Sequence, residues 1–140
     1  MKKQMLQHLQ DYLLGIDKGF AFEAGPKRIP IDGDQYIVDQ LFYNYKLKCS
    51  VLIDLHIGEL TQQSPEKMQR CVNYYAREAI KNSDNPPIGI MLCVDKKEIV
   101  VKYILTDSDS QLIDPRYMEC IPSENDFGLM IKQFFDGKEY

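Results

Sequence analysis

The chain has 140 residues, of which 44% are hydrophobic and 27% are charged, and this composition is typical of a single globular domain over residues 1–140 rather than of a disordered segment. Its 17 basic and 21 acidic residues give a formal net charge of -4, which argues against a protein that coats nucleic acid through bulk positive charge but not against local contacts with phosphate. No segment reaches the roughly 18 apolar residues of a membrane span, and the N-terminus lacks the apolar core of a signal peptide, so we expect a cytoplasmic protein with no membrane partner.

The cysteines do not form a metal-binding pattern. They stand at positions 49, 71, 93 and 120, each in an apolar neighbourhood, and the chain has only two histidines. Because no two cysteines have the close spacing of a zinc site, we expect reduced, mostly buried thiols and no structural zinc.

The N-terminal third is predicted to contain one helix and short extended segments. Apolar residues recur at spacings of three and four over residues 2–14, which predicts an amphipathic helix. Residues 20–22 are predicted to be extended, residues 29–31 to form a short strand, and residues 32–34 to form a turn.

Two longer apolar runs follow, over residues 35–44 and 48–57. They are rich in Val, Ile, Tyr and Phe and are separated by a short connection, which predicts a β-hairpin. Both runs are apolar on both faces, so we expect the pair to be central in a covered sheet. If Tyr45 lies opposite Lys48, paired residue numbers sum to 93, and Asp39 then faces Asp54.

A second helix is predicted after the hairpin. The order Ser64, Pro65, Glu66 is typical of a helix start, with Ser as the N-cap, Pro at the first helical position and an acid in the first turn. Apolar residues over residues 68–79 then follow helical spacing.

The remaining elements complete an α/β fold. Residues 88–94 and 99–105 predict two strands, and residues 123–135 predict a last helix. We expect that helix to be anchored by Leu129, Phe134 and Phe135. The predicted order is α-β-β-β-α-β-β-α, a mixed β-sheet flanked by helices.

The predicted hairpin places two acidic residues together. Asp39 and Asp54 would repel each other in an apolar setting, and protonation, a cation or a metal would relieve that repulsion. Mg²⁺ takes one or two carboxylates and fills its other positions with water and substrate phosphate, so the pair suits phosphodiester hydrolysis. His56 lies two residues beyond Asp54 and so points to the same face. The alternative is two solvated aspartates at separate strand ends, since a slip of one residue would part them.

These residues lie in segments that resemble a known family. KGFAF at 18–22, DQLFYN at 39–44, VLIDLHIGE at 51–59 and NSDNPPIGIMLC at 82–93 together resemble the PD-(D/E)xK nuclease superfamily, and within it the C-terminal nuclease domain of YhcG-like proteins. The resemblance implies a restriction-endonuclease-like core and hydrolysis of DNA with Mg²⁺ or Mn²⁺. It also implies a homodimer, because superfamily nucleases often pair to cut two strands.

The resemblance assigns roles to four residues by position. Asp39 resembles the first metal-binding aspartate, and Asp54 stands where the family has Asp or Glu, so both are candidate metal ligands. His56 stands where the family has its catalytic lysine, which gives the pattern D…DxH. Lys67 stands where YhcG-like domains commonly carry glutamine, and we predict that it is a relocated catalytic lysine. The alternative is a solvated first-turn side chain.

The change from lysine to histidine alters the chemistry at position 56. Lysine is a fixed positive charge that can orient water and stabilise charge on phosphate. An unperturbed imidazole, with a pKa of about 6.5, is mostly neutral at pH 7. It suits a general base or a ligand of a softer metal such as Mn²⁺ or Zn²⁺.

Two basic pairs lie near the predicted hairpin, Lys27 with Arg28 and Lys46 with Lys48. We predict that they contact the DNA backbone, although a solvated surface is the commoner explanation of such pairs. Three functions remain open at this point: a metal-dependent DNA endonuclease, a catalytically degenerate nuclease-fold domain that binds DNA or a protein partner without cleavage, and a structural or oligomerisation module.

Overall fold

The computed structural model describes residues 1–59, 65–79, 84–106 and 115–137. Its elements, in chain order, are α1 (Lys2–Gly15), β1 (Phe20–Ala24), β2 (Lys27–Ile31), β3 (Asp34–Val38), β4 (Gln40–Asn44), β5 (Cys49–Ile57), α2 (Glu66–Tyr74), a π-helical turn (Tyr75–Ala79), β6 (Ile88–Asp95), β7 (Glu98–Ile104), α3 (Pro115–Cys120) and α4 (Glu124–Asp136). Among the described residues, no helix is both long and apolar enough to cross a membrane.

The main sheet has five strands in the order β1-β4-β5-β6-β7. The neighbours β5 and β6 are parallel, and the other three pairs are antiparallel. The chain passes through α2 between the two parallel strands, as a parallel connection requires. A separate two-stranded sheet, β2-β3, lies outside the main sheet. The predicted fold class, a mixed sheet flanked by helices, is confirmed.

Two hydrophobic clusters cover the two faces of the sheet. The first contains buried side chains of α1, α3 and α4, and the second contains buried side chains of α2, β2 and β3. Strand β5 contributes side chains to both clusters. The first cluster contains Val51, Ile53 and Leu55, and the second contains Leu52. Asp54 has the parity of Leu52, so it lies on the face covered by α2. All four cysteines lie in the described residues as buried thiols outside any disulfide, as expected.

The predicted hairpin has the predicted register but not the predicted length. Gln40 pairs with Ile53 and Asn44 with Cys49, so paired numbers sum to 93. The first predicted strand is however two strands, because the chain bends at Asp39. The segment before the bend, β3, pairs with β2 instead of entering the main sheet.

Helix α2 begins one residue later than predicted. The carbonyl of Pro65 accepts the first helical hydrogen bond, from the N–H of Gln69 at 2.9 Å, so Pro65 is the N-cap and not the first helical residue. The predicted N-cap, Ser64, lies outside the described residues. Lys67 is therefore the second helical residue and not the third. The predicted core positions are confirmed for Met68 and for Cys71, Val72 and Tyr75.

The C-terminal part differs from prediction at two points. The six-residue helix α3 is not predicted from the sequence. Leu129 does not anchor α4, since it is 55% exposed. The buried positions are Phe127, Met130, Ile131 and Phe134, which follow i, i+3, i+4, i+7, and Leu129 falls outside that stripe. Phe134 is a core residue as predicted, and Phe135 packs partly buried against the core.

Candidate functional site

The two predicted acids meet where β3 bends into β4. The backbone N–H of Asp39 donates to Oδ1 of Asp54 at 2.9 Å. The backbone N–H of Leu55 donates to Oδ2 of Asp39 at 2.8 Å. Each contact joins the side chain of one strand to the backbone of the other. The two carboxylates are therefore fixed as neighbours at this bend.

Each carboxylate also has a lysine beside it. The Nζ atom of Lys67 is 3.6 Å from Oδ2 of Asp54 and donates to the carbonyl of Ile37 at 2.5 Å. The Nζ atom of Lys2 is 3.2 Å from Oδ2 of Asp39. The first turns of α1 and α2 thus bring one ammonium each to the acid pair.

Asp54 is the buried member of the pair, with 6% of its surface exposed. Burial raises the pKa of its carboxyl group, because the charged form loses water, and the charge of Asp39 acts in the same direction. The hydrogen bond from the N–H of Asp39 and the Lys67 ammonium act in the opposite direction on that pKa. Positive charge at this position therefore stabilises the ionised form that a metal ligand must have.

The donor set fits a hard divalent cation. The described residues contain no cluster of three or more His, Cys, Asp and Glu side chains that would form a complete protein cage. Two carboxylates are however what Mg²⁺ commonly takes from a protein, with water and substrate phosphate in the other positions. One ammonium group already lies beside each of Asp39 and Asp54, as expected where two carboxylates are neighbours. Asp39 and Asp54 would hold the cation.

His56 lies on the same face of β5 as Asp54, one pleat further along. Its side chain is half-buried, and within the described part of the chain its buried Nε2 atom has no hydrogen-bond partner. The neighbouring Gly58 approaches this ring closely, since a Cβ at position 58 would lie 3.2 Å from Nε2. The imidazole is therefore held in place by packing, with one nitrogen uncommitted among the described groups.

The structure brings one predicted basic pair towards the acids. Lys27 pairs with Val38, the residue before Asp39, and Arg28 pairs with Ile37. Both basic side chains are exposed. They lie on the strand next to the bend, on the same hairpin whose Ile37 carbonyl accepts from Lys67.

The other predicted basic pair is not near the acids. Lys46 and Lys48 lie in the turn between β4 and β5, at the opposite end of β4 from Asp39, roughly 20 Å away at the rise of an extended strand. The Nζ atom of Lys46 donates to the carbonyl of Asp17 at 2.9 Å and so joins the turn to the end of α1. Any contact of this pair with DNA would be far from the acid pair.

Lys2 is a site residue that sequence reasoning missed. The sequence does contain a sign of its role: Lys2 precedes the buried Met5 and Leu9 at the spacing i, i+3, i+7. A charged residue on the apolar stripe of a helix indicates a specific partner rather than plain solvation. The partner itself, Asp39, is 37 positions away and is brought there by the fold.

Comparisons with known proteins find a matching family model and similar proteins. Residues 1–131 match the family model described as YhcG PDDEXK nuclease domain. The chain is 28% identical over 123 residues to an Escherichia coli (strain K12) protein named "Putative nuclease YhcG", a match that covers 88% of this chain and 33% of that protein. The chain thus spans about a third of the length of this curated relative. A solved structure titled "Crystal structure of SSO0001" matches at 17% identity and a TM-score of 0.38, over 83% of this chain and 56% of the other.

Proposed function

Because the chain belongs to the YhcG PDDEXK nuclease domain family, we propose that it is a metal-dependent nuclease that hydrolyses DNA phosphodiester bonds at Asp39 and Asp54. The observation that carries this proposal is the interlocked acid pair, in which the N–H of Asp39 bonds to Asp54 and the N–H of Leu55 bonds to Asp39. A purely structural module would have no need to bury the Asp54 carboxylate beside a second carboxylate, that of Asp39.

In this proposal Asp39 and Asp54 hold Mg²⁺ or Mn²⁺. When bound, the ion polarises a phosphoryl oxygen and makes a water molecule a better source of hydroxide. The two carboxylates fix the ion's position, since backbone hydrogen bonds restrain both side chains. Asp54 is buried, and its electrostatic interactions are stronger there than they would be in open water.

Lys67 takes the part of the lysine that is absent at position 56. Its side chain is 43% exposed, but its ammonium lies between Oδ2 of Asp54 and the carbonyl of Ile37 and so points to the acid pair. From there it can donate to a phosphate oxygen as negative charge builds up on it. His56 is the proposed general base; its Nε2, uncommitted among the described groups, is buried in this structure, so the ring must turn for this atom to accept a proton from the attacking water.

Lys27 and Arg28 are the proposed contacts with the DNA backbone beside this site. Their hairpin adjoins the bend at Asp39, and phosphate contacts of this kind position a strand without reading its sequence. One acid pair cuts one strand, so we propose a homodimer for cleavage of both strands. Light scattering with and without duplex DNA measures the oligomeric state and so tests the homodimer separately from cleavage.

The test is a cleavage assay on single-stranded and double-stranded DNA with Mg²⁺ or Mn²⁺. Asp54→Ala should reduce the rate by at least about 100-fold, and Lys67→Ala by about 100-fold, because each removes a charge that acts on the transition state. Asp11→Ala and Lys132→Ala are matched controls, each a loss of the same charge on an exposed helix position, and should cleave as the wild type does. Metal-dependent cleavage that survives Asp54→Ala would contradict the assignment. Wild-type activity in Lys67→Ala would refute the role of Lys67.

A second candidate function is a degenerate domain that binds DNA or a protein partner without cleavage. The observation that favours it is His56, since a histidine stands where the family carries its catalytic lysine. His56→Lys separates the two candidates. Absence of cleavage by the wild type, with cleavage by His56→Lys, would favour the degenerate domain. Cleavage by the wild type that is lost in Asp54→Ala would exclude it.

A further inference from the structure

Lys2 and Lys67 balance the charge of the acid pair. Asp39 and Asp54 bring two negative charges, and the two ammonium groups beside them bring two positive charges. A divalent cation at the acid pair would add two further positive charges. The same four residues would then carry an excess of positive charge, which suits the anionic phosphates of a nucleic acid.

The two lysines are not held equally. Lys67 is also anchored by the carbonyl of Ile37. For Lys2, the described residues provide one partner, Oδ2 of Asp39 at 3.2 Å, and the side chain is 51% exposed. Oδ2 of Asp39 already accepts the N–H of Leu55 as well, so a cation binding to this oxygen competes with Lys2 directly. Lys2 is therefore the ammonium that can leave at least cost.

We propose that Lys2 is a displaceable counter-ion of Asp39, released by the arriving divalent cation and then bound to a phosphate oxygen of the nucleic acid. The inference rests on the proposed function. It adds Lys2 to the proposed site and couples metal binding to nucleic-acid binding. Without metal, Lys2 neutralises Asp39 and is withheld from nucleic acid. With metal, the same ammonium becomes a phosphate contact, so metal binding and nucleic-acid binding favour each other, reciprocally.

The first experiment measures Mn²⁺ affinity by titration calorimetry on the whole chain, without DNA. Lys2→Ala should bind Mn²⁺ about two- to fivefold more tightly than the wild type, because an ion pair of this exposure opposes the metal by roughly that factor. Lys2→Arg, which keeps the pair, should match the wild type. Lys3→Ala removes the same charge from the neighbouring position and should change the affinity by less than Lys2→Ala does.

The second experiment measures the binding of a phosphorothioate-linked single-stranded DNA, with and without Mn²⁺. With Mn²⁺, Lys2→Ala should bind more weakly, and the slope of log affinity against log salt should be smaller by about 0.7, the value of one lost phosphate contact. Without Mn²⁺, Lys2→Ala and the wild type should bind alike. If Lys2→Ala lost the same DNA affinity with and without Mn²⁺, Lys2 would act as a constant surface charge and the proposed coupling would be wrong.

The outcomes separate this inference from the proposed function. If the wild type binds Mn²⁺ at the acid pair but Lys2→Ala binds it no more tightly, Lys2 is not a counter-ion and only this inference fails. If the wild type binds no Mn²⁺, and Asp54→Ala gives the same result, both the inference and the proposed metal site fail. Tighter binding by Lys2→Ala and Lys3→Ala to the same extent would also overturn the direct ion pair.

Discussion

The backbone N–H of Asp39 donates a hydrogen bond to the carboxylate of Asp54 at 2.9 Å. At the bend where β3 ends and β4 begins, a backbone N–H group is thus paired with a side-chain oxygen. The acid pair is for this reason part of the hydrogen bonding that shapes the start of β4 as well as the proposed metal site. Asp54→Asn keeps an acceptor for the N–H of Asp39, so it complements Asp54→Ala by separating the loss of charge from the loss of this hydrogen bond.

The stability of the metal-free protein should depend on the ionisation of Asp54. Its pKa in the folded protein is raised above the usual value of 3.8, chiefly by burial, so the folded state binds a proton more tightly than the unfolded state does. Stability that is present below pH 3.8 is then lost as the pH rises through the folded pKa. Asp54→Asn, which keeps an acceptor for Asp39, should be more stable than the wild type at pH 7, with the difference shrinking on acidification.

Urea unfolding of both proteins between pH 4 and pH 8, without metal, measures this effect. Addition of Mn²⁺ should then stabilise the wild type at pH 7 by mass action and leave Asp54→Asn nearly unchanged. A difference between the two proteins that is constant with pH would show that the ionised carboxylate is not the cause.

The ring of His56 should be sensitive to its glycine neighbour. Gly58 has φ +148, and a Cβ there would lie 3.2 Å from Nε2 of His56, so Gly58→Ala both strains the backbone and pushes the ring. Gly33 has φ +85 with nothing within 4 Å of a Cβ, which makes Gly33→Ala a control for backbone strain alone. Both should lose about 1–2 kcal/mol of stability, but only Gly58→Ala should also lower kcat, by about tenfold or more.

Denaturant unfolding and steady-state cleavage of DNA measure the two effects. If the two alanine variants keep the same kcat, the position of His56 does not matter to the reaction. A loss in Gly58→Ala that His56→Ala does not share would point to Gly58 itself.

Much of the sheet could be predicted because local pattern and packing agree there. The register that places Tyr45 opposite Lys48 pairs Gln40 with Ile53, and this pairing is the observed one. The core face of α2, including Met68 and Val72, follows directly from helical spacing. In these elements the residues that decide the structure are close together in sequence.

The features that were missed depend on contacts distant in sequence. The bend at Asp39 cannot be read from an apolar run, because it depends on β2 pairing with β3 and on the side chain of Asp54. The ion pair of Lys2 joins the first turn of α1 to that bend. Helix α3, with six residues, is too short to show a period. Leu129 was misassigned because apolar character was considered without its place on the helix stripe.

The position of α2, and with it Lys67, should depend on Gly89. A Cβ at this position in β6 would lie 2.6 Å from Cγ of Met68 and 2.8 Å from Cγ2 of Val72, so Gly89→Ala forces the helix away from the sheet. We expect a loss of about 1–3 kcal/mol of stability and a lower cleavage rate, because Lys67 adjoins Met68. The expected rate loss is larger than that of a stability-matched variant elsewhere.

Gly128→Ala on α4 is a control for the same substitution at a position with room for a Cβ, and Asn44→Ala, described below, is the destabilised variant for comparison. A Cβ at position 128 would make an ordinary contact with Cγ2 of Ile99 at 3.5 Å, so the change should stabilise the helix by about 0.5–1 kcal/mol and leave cleavage unchanged. Thermal unfolding and a cleavage assay below the midpoint of both variants give the two measurements. Full activity in folded Gly89→Ala would show that the reaction tolerates movement of Lys67.

Asn44 should support the fold without supporting the chemistry. It is fully buried, its Nδ2 donates to the carbonyl of Lys18 at 3.1 Å, and its Oδ1 accepts from the N–H groups of Lys46 and Leu47 at 3.1 and 2.9 Å. Asn44→Ala leaves these groups without partners and should cost about 2–4 kcal/mol. Because this turn is at the far end of β4 from Asp39, the Mn²⁺ affinity of the folded variant should equal that of the wild type.

Asp39→Asn is the variant to compare with Asn44→Ala, because it should affect metal binding and not stability. It keeps an oxygen to accept the N–H of Leu55 and removes the charge that a metal requires, so Mn²⁺ affinity should fall about 10-fold or more while stability changes little. Calorimetry and urea unfolding of the two variants should therefore give opposite patterns. If Asn44→Ala bound Mn²⁺ more weakly at a temperature where it is fully folded, the metal would lie elsewhere than at the bend. If Asp39→Asn bound Mn²⁺ as the wild type does, Asp39 would not be a metal ligand.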